Sequence, residues 1–128
     1  MAQTKRFTNI KELEKFEGKA LANRQMTVAE SKVNDILQTN FPNDWKWVGN
    51  GAFWIEGKNP DFINTNSLKA VIEVDGCEEW KRKDYGGNDM YAQSRIEHFG
   101  KYGFRCLIIN YKQKTDEIVG QIRSLQKD

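Results

Sequence analysis

Three carboxylates lie at the ends of two short apolar segments, and they are the residues of this chain best suited to chemistry. Asp61 opens the segment Pro60-Asp61-Phe62, and Glu73 and Asp75 end a later apolar run. Side chains alternate between the two faces of a strand, so Glu73 and Asp75 would share one face. If the two segments are neighbouring strands, we expect the three carboxylates to meet at one end of a sheet.

Such a group of like charges favours a bound cation. Neighbouring carboxylates raise one another's pKa, and a divalent cation allows them to stay ionised together. Carboxylate oxygens suit magnesium, manganese or calcium. The alternative is that the strand ends at the surface and its carboxylates are solvated, and composition alone leaves both interpretations open.

The length and composition of the chain bound what it can be. Its 128 residues allow one compact domain with a modest core. The charged fraction of 30% and the hydrophobic fraction of 38% fit a globular protein in water. The chain has no apolar run near the ~18 residues of a membrane span, and its charged N-terminus lacks a signal-peptide pattern. We therefore expect a cytoplasmic protein without a membrane partner.

Cysteine spacing and charge give weaker guidance. Cys77 and Cys106 lie far apart and outside any Cys-x-x-Cys or Cys/His spacing, so zinc ligation and thiol redox chemistry lack support, and we expect buried or incidental thiols. The net charge is only +2, yet bases cluster at residues 5–6, 81–83 and 112–114. These clusters could face phosphates or be solvated surface.

The N-terminal part of the chain predicts two helices. A loose apolar stripe over residues 8–24 predicts the first, which would either cover the core or act as a DNA-contacting arm. The second begins after Thr27 and runs to about Gln38, and the Thr-x-x-Glu spacing of Thr27 and Glu30 predicts a capping box. Glu30 also borders the buried stripe of this helix. It could therefore close the capping box or point toward a site.

The remaining pattern predicts a sheet between helices. We expect a hairpin of strands at 45–48 and 52–55, followed by one strand that begins at Asp61 and another that ends at Asp75. A helix from Asn88 or Asp89 to Lys101 should then bury Ala92, Ile96 and Phe99. A strand at 104–109 and a helix at 115–126 complete the expected elements. The strand, helix, strand order from Val71 to Ile109 predicts a parallel pair. The fold class is therefore α/β, a mixed β-sheet flanked by helices. We expect one compact domain, in which residues 1–26 form a helical arm and residues 27–128 the main part.

Four motifs in this order resemble the PD-(D/E)XK nuclease superfamily, in particular its branch of very-short-patch-repair endonucleases and phage homing endonucleases. They are Thr27-x-x-Glu30, Pro60-Asp61-Phe62, Ile72-Glu73-Val74-Asp75-Gly76, and Arg95 followed by Gly103-Phe104-x-Cys106-Leu107-Ile108-Ile109. The resemblance implies a restriction-endonuclease-like fold and a Mg²⁺-dependent endonuclease, with Mn²⁺ as a substitute, that hydrolyses phosphodiester bonds in DNA. Nicking, double-strand cleavage by a homodimer and a homing or mobile-element role stay open.

The resemblance also implies roles for individual residues. Asp61 and Glu73 match the metal ligands of the family, and the backbone carbonyl of Val74 would complete the set. Asp75 stands where most members have a lysine that acts on the attacking water. Glu30, which matches a helical glutamate of the branch, and Asp75 are therefore the candidates for that role, and both are counted with Asp61 and Glu73 as catalytic residues.

Contacts to DNA are implied for a second group of residues. Lys81, Arg82 and Lys83 would grip the phosphate backbone beside the site, although they could equally be solvated charges. Gln93 would contact the substrate from the following helix. Arg95 would face the site and balance its acidic groups, or else form a salt bridge at the edge of the core.

Departures from the family pattern support a second hypothesis. Relatives often have a histidine four or five residues after the Asp75 position, where this chain has Glu79 and Trp80. The only histidine, His98, is expected at the surface, and the structural zinc of the repair enzymes is not expected because Cys77 lacks nearby partner ligands. The second hypothesis is a nuclease-fold module that binds nucleic acid without catalysis. A third, a structural RNA-binding protein, rests on the basic clusters alone.

Overall fold

The computed structural model of the chain describes residues 5–76 and 88–127. Within these ranges the elements are α1 Ile10–Glu14, α2 Val28–Asn40, β1 Trp45–Trp47, β2 Phe62–Asn64, β3 Ala70–Asp75, α3 Asn88–Lys101, β4 Arg105–Asn110 and α4 Thr115–Gln126. The strands form one mixed sheet with helices packed on it, so the predicted α/β fold class is confirmed. No helix in the described ranges has the length and apolar character needed to cross a membrane.

The sheet has the strand order β1-β2-β3-β4. β1 and β3 both pair antiparallel with β2, whereas β3 and β4 are parallel, as predicted. The short strand β2 pairs with β3 through Phe62 and Ile63, opposite Ile72 and Val71. The end of β3 therefore extends past β2. We call the space beside this end of β3 the sheet gap.

The alternating side chains of β3 separate two apolar clusters. Ile72 and Val74 belong to a cluster with buried residues of α2 and α4, whereas Val71 belongs to a second cluster with Phe99 of α3. Glu73 lies on the same face as Val71, because side chains two residues apart share a face. Different helices therefore pack against the two faces of β3 beside the sheet gap.

The predicted helix over residues 8–24 is wrong for most of its length. α1 is five residues long, and the chain after it runs beside residues 50–54, with the Gly18 N–H donating to the Ala52 carbonyl at 2.9 Å. A Cβ at Gly18 would lie 2.5 Å from the Gly51 carbonyl oxygen, so this close approach requires glycine. Backbone pairing with a distant segment therefore replaces the helix.

The predicted hairpin of strands at 45–48 and 52–55 is also wrong. β1 forms, but it pairs with β2 rather than with residues 52–55. Asn59 provides the reason, because its side-chain Nδ2 donates to the carbonyls of Val48 at 2.7 Å and Phe53 at 2.8 Å. These bonds fold the connection back on itself and place the chain for its approach to β2.

α3 has the predicted bounds but buries a different face. Tyr91 and Phe99 are buried and Arg95 is largely so, at a spacing of four residues, whereas Ile96 is 45% exposed. The prediction of a buried Ile96 is therefore wrong, and Ala92 is only half-buried. Residues four apart lie on one face of a helix, so Tyr91, Arg95 and Phe99 form the face that α3 turns to the sheet.

Two predictions about single side chains have different outcomes. His98 was expected at the surface, but it is half-buried and its Nε2 lies 2.8 Å from the Ile55 carbonyl oxygen. A carbonyl only accepts, so Nε2 carries a proton and His98 ties α3 to the connection before β2. Cys106, expected to be a buried or incidental thiol, is half-buried, and the pKa of its thiol is raised by burial and by the charge of Glu73. Cys77 lies outside the described residues.

An ion pair joins α1 to the residue that immediately precedes β3. Lys69 Nζ contacts Glu12 Oε1, and the Thr8 N–H and hydroxyl donate to Glu12 Oε2 at 2.7 and 2.8 Å. The hydrogen bond from Lys69, followed by those from Thr8, lowers the pKa of Glu12 from 4.5 to about 2. The division of the chain at residue 26 stays a prediction.

We expect Glu12→Gln to destabilise the protein in a manner that depends on pH. Because the folded pKa of Glu12 is depressed, its contribution is present above pH 4.5 and is lost as the pH falls toward 2. The Tm difference between Glu12→Gln and wild type, followed by circular dichroism, should shrink over this interval. Glu14→Gln on the same helix is the matched control and should show no such convergence. A difference that widens toward low pH would contradict this expectation.

Candidate active site

A cavity of about 260 Å³ at the sheet gap collects most of the predicted catalytic residues. α2 reaches it from one face of β3 and α3 from the other. The charged residues that line it are Arg24, Glu30, Asp61, Glu73 and Arg95. We call it the gap cavity. Three carboxylates and two guanidinium groups thus share one small space.

Backbone hydrogen bonds on two sides place Asp61 at this cavity. Its carbonyl accepts from the Val48 N–H at 2.8 Å, and its Oδ2 accepts from the Val74 N–H at 2.8 Å. The carboxylate therefore bonds to β3 at the point where β2 no longer pairs with it. The N–H and C=O of one strand residue point to the same edge, so the Val74 carbonyl also faces the sheet gap.

The gap cavity disfavours the charged form of Asp61. Burial raises the pKa of the Asp61 carboxyl well above its usual value of 3.8, and the charges of Glu73 and Glu30 raise it further. The hydrogen bond from Val74 lowers it only in part. Glu30 lines the same cavity, so it lies close enough to Asp61 to contribute to this effect.

Glu30 fills both roles that the sequence left open. The Thr27 N–H donates to Oε1 at 2.8 Å and the Thr27 hydroxyl accepts from the Glu30 N–H at 3.1 Å, so the predicted capping box is confirmed. The indole Nε1 of Trp47 donates to Oε2 at 3.4 Å. Glu30 is 8% exposed. The same carboxylate thus caps α2 and lines the gap cavity with Asp61.

Arg95 on α3 balances the buried charge of Glu73. Glu73 is 3% exposed, and the Arg95 Nε lies 3.9 Å from its Oε1. The same Nε donates to the Tyr91 hydroxyl at 2.9 Å. The sequence left two interpretations of Arg95 open, a salt bridge at the edge of the core and a place at the site. In the structure Arg95 forms the salt bridge and also lines the cavity.

Tyr91 is a residue of the gap cavity that the sequence reasoning missed. Burial, followed by the charge of Glu73, raises the pKa of its hydroxyl to about 12, so the hydroxyl stays protonated at neutral pH. The four-residue spacing of Tyr91, Arg95 and Phe99 was the available signal. The apolar residues Ala92, Ile96 and Phe99 form a competing stripe in the sequence, which favours a different buried face.

The donor chemistry of the cavity fits a hard divalent cation. Asp61, Glu73 and Glu30 offer oxygen atoms, and the raised pKa of Asp61 records a repulsion that a cation relieves. Across residues 5–76 and 88–127, however, no three His, Cys, Asp or Glu side chains are already grouped as a metal site. The assignment of Asp61, Glu73 and the Val74 carbonyl as ligands stays a prediction.

The other predicted site residues lie apart from the cavity or outside the described ranges. Asp75 is half-buried at the end of β3, its carbonyl accepts from the Tyr111 N–H at 3.4 Å, and it does not line the gap cavity. Gln93 is exposed on α3 and its amide donates to Glu97 at 2.8 Å. Residues 81–83 lie outside the described chain.

Arg24 and Asn59 also line the gap cavity, although the sequence gave neither a role there. Arg24 is exposed in the connection between α1 and α2, within the stretch that the periodicity predicted as helix. It lines the cavity from a stretch that is not helical in the structure. Asn59 acts through the loop bonds already described and holds the chain just before Asp61.

Comparisons with known proteins bear on the fold. No protein-family model and no curated protein matches the chain. A solved structure, described as "Homing Endonuclease I-Bth0305I Catalytic Domain", superposes with a TM-score of 0.56 at 24% sequence identity, covering 78% of this chain and 94% of that one. The chain therefore has the fold of a homing-endonuclease catalytic domain.

Proposed function

We propose that this chain is a metal-dependent DNA endonuclease that hydrolyses phosphodiester bonds at the gap cavity. The observation that carries the proposal is the meeting of Glu30, Asp61 and Glu73 in one cavity at the sheet gap. Gathering three carboxylates in one cavity, with Glu30 and Glu73 buried, is costly, and a bound cation is a common reason for such an arrangement. The fold shared with a homing-endonuclease catalytic domain supports the same function.

In the proposed site, Asp61, Glu73 and the Val74 carbonyl hold Mg²⁺ or Mn²⁺. Such an ion neutralises charge on the phosphate and lowers the pKa of a bound water. Glu30 is the better candidate to accept a proton from the attacking water, because it lines the cavity and Asp75 does not. Asp75, which stands in place of the usual lysine, would then influence the site from outside the cavity, at the end of β3.

Arg24 and Arg95 are the cations that line the cavity, and we assign them to the DNA phosphate. Arginine presents several N–H donors in a planar fork that matches phosphate oxygens. The Nη1 of Arg95 is buried and has no hydrogen-bond partner within the described part of the chain. A homing or mobile-element role, including a phage-encoded one, is the finer form of this proposal.

Incubation with supercoiled plasmid DNA and Mg²⁺ tests the proposal. We expect relaxed circles if the enzyme nicks one strand and linear DNA if it cuts both, with cleavage abolished by a chelator and restored by added Mg²⁺ or Mn²⁺. The ratio of linear to relaxed product at rising protein concentration reports whether two subunits act together. Intact plasmid with every divalent cation tried would contradict the proposal.

A second candidate function is a nuclease-fold module that binds nucleic acid without cleaving it. It is favoured by the lining of the gap cavity, which within the described residues contains neither lysine nor histidine. It is also favoured by the carboxylates not being grouped as a metal site. Retained DNA binding without cleavage or cation binding would support this function in place of the first.

A further inference from the structure

The position of Glu30 depends on contacts from two different parts of the chain. One carboxylate oxygen accepts from the Thr27 N–H within α2. The other accepts from the indole Nε1 of Trp47, at the end of β1. A glutamate has three side-chain torsions, and donors on both oxygens restrict the orientation of its carboxylate. Glu30 and Asp61 line the same cavity.

Trp47 is well placed to relate α2 to the strand that follows Asp61. It pairs in register with Phe62, the residue next to Asp61 in the chain. Its ring is partly buried and packs against the cluster of buried residues between the sheet, α2 and α4. This packing restricts the movement of the indole ring, so its N–H can hold Glu30 at a set position relative to Asp61.

Gly49 provides an independent observation at the same place. A Cβ on this buried residue would lie 2.7 Å from Trp47 Nε1 and 3.2 Å from Glu30 Oε2. The first distance is shorter than real Cβ contacts, so either the indole or the backbone would have to move. The backbone at residue 49 thus lies against both partners of the Trp47–Glu30 hydrogen bond.

We propose that Trp47 is a positioning residue, which acts through Glu30, and that glycine at position 49 is required for its indole to reach that carboxylate. This inference rests on the proposed function for its kinetic consequence, because Glu30 is assigned there to the attacking water. The contact itself is independent of catalysis. Trp47 touches neither the substrate nor the reacting atoms in this account.

Trp47→Phe removes the indole N–H and keeps an apolar ring, and Trp54→Phe is its matched control. Trp54 is 44% exposed and its Nε1 donates to the Gly51 carbonyl at 2.7 Å, away from the carboxylates. We expect Trp47→Phe to lower kcat about tenfold, since partners that orient a site residue have effects of this size, and to leave Mg²⁺ binding in calorimetry close to that of wild type, because Glu30 is not one of the proposed ligands. The KM for DNA should stay close to that of wild type.

Gly49→Ala should act in the same direction as Trp47→Phe while leaving the far-ultraviolet circular dichroism unchanged. Trp54→Phe should match wild type in kcat, KM and Mg²⁺ affinity. Equal kcat for Trp47→Phe and Trp54→Phe would overturn the inference. A loss of stability without a change in kcat would also overturn it, because the role of Trp47 would then be packing alone.

A spectroscopic test separates this inference from the proposed function. Trp47→Phe identifies the Trp47 indole N–H resonance in a ¹H–¹⁵N correlation spectrum of the metal-free protein. We expect Glu30→Gln to shift that resonance and to leave the Trp54 indole resonance in place. An unshifted Trp47 resonance would overturn the inference even if the protein cleaves DNA. A shifted one in a protein that cleaves no DNA would uphold the contact and reject the proposed function.

Discussion

Asp61→Asn should abolish cleavage of plasmid DNA and leave the fold intact. Asparagine keeps the shape of the side chain and an oxygen that can accept from the Val74 N–H, but it loses the negative charge that a cation needs. We expect a loss of roughly a thousandfold or more in rate, about 4 kcal/mol, the scale of a metal's contribution to charge stabilisation. The substitution also removes a repelling charge, so the metal-free variant should be at least as stable as wild type.

Asp35→Asn is the matched control for this experiment. Asp35 is exposed on α2, the helix that also carries Glu30, and it does not line the gap cavity. Its replacement should leave both the cleavage rate and the Tm unchanged. If Asp61→Asn cleaves plasmid as fast as wild type and Asp35→Asn, the gap cavity is not the site of hydrolysis.

Arg95→Met should give the largest loss of stability among substitutions at the site. It leaves the carboxylate of Glu73, which is 3% exposed, without the guanidinium 3.9 Å away. Removing one partner of a buried ion pair costs about 3 to 5 kcal/mol, and we expect the lower value because the Arg95 side chain retains 17% of its exposure. Urea denaturation, followed by circular dichroism, measures this change in the free energy of unfolding.

The double variant Arg95→Met with Glu73→Gln identifies the cause of that loss. Removing the stranded charge should recover much of the stability, so the two single effects should not add. Arg123→Met, on the exposed face of α4, is the control and should change the free energy of unfolding by less than about 0.5 kcal/mol. Equal destabilisation by Arg95→Met in the presence and absence of Glu73 would contradict a role in charge balance.

The elements that could be predicted are those whose local signals agree with their tertiary partners. β3 has an apolar, β-branched run with a carboxylate on one face, α2 has a capping box, and α4 has the predicted bounds. The prediction of a helix over residues 8–24 is wrong because the backbone after α1 pairs with residues 50–54, and the periodicity of a local segment carries no information about so distant a partner. The prediction of a hairpin is wrong because the side-chain hydrogen bonds of Asn59 hold the intervening loop in another conformation.

The candidate site could be predicted only where one strand defines it. Alternation along β3 placed Glu73 on the correct face, but Asp75 lies two residues beyond the part of β3 opposite Asp61 and does not line the cavity. Tyr91 and Arg24 enter from elements whose inward faces were not predicted. How far β2 extends along β3 sets where the sheet gap opens, and no local pattern in three residues specifies that length.

Isothermal titration of the metal-free protein with Mg²⁺ and Mn²⁺ is the most direct test of the claim that the gap cavity is a metal-dependent nuclease site. We predict saturable binding of a divalent cation to wild type and to Asp35→Asn, and its loss in Asp61→Asn. Binding should also raise the Tm, because a cation that binds only the folded chain stabilises it. Wild type that binds neither ion, while it still binds DNA, would contradict the account and favour a nuclease-fold module without catalysis.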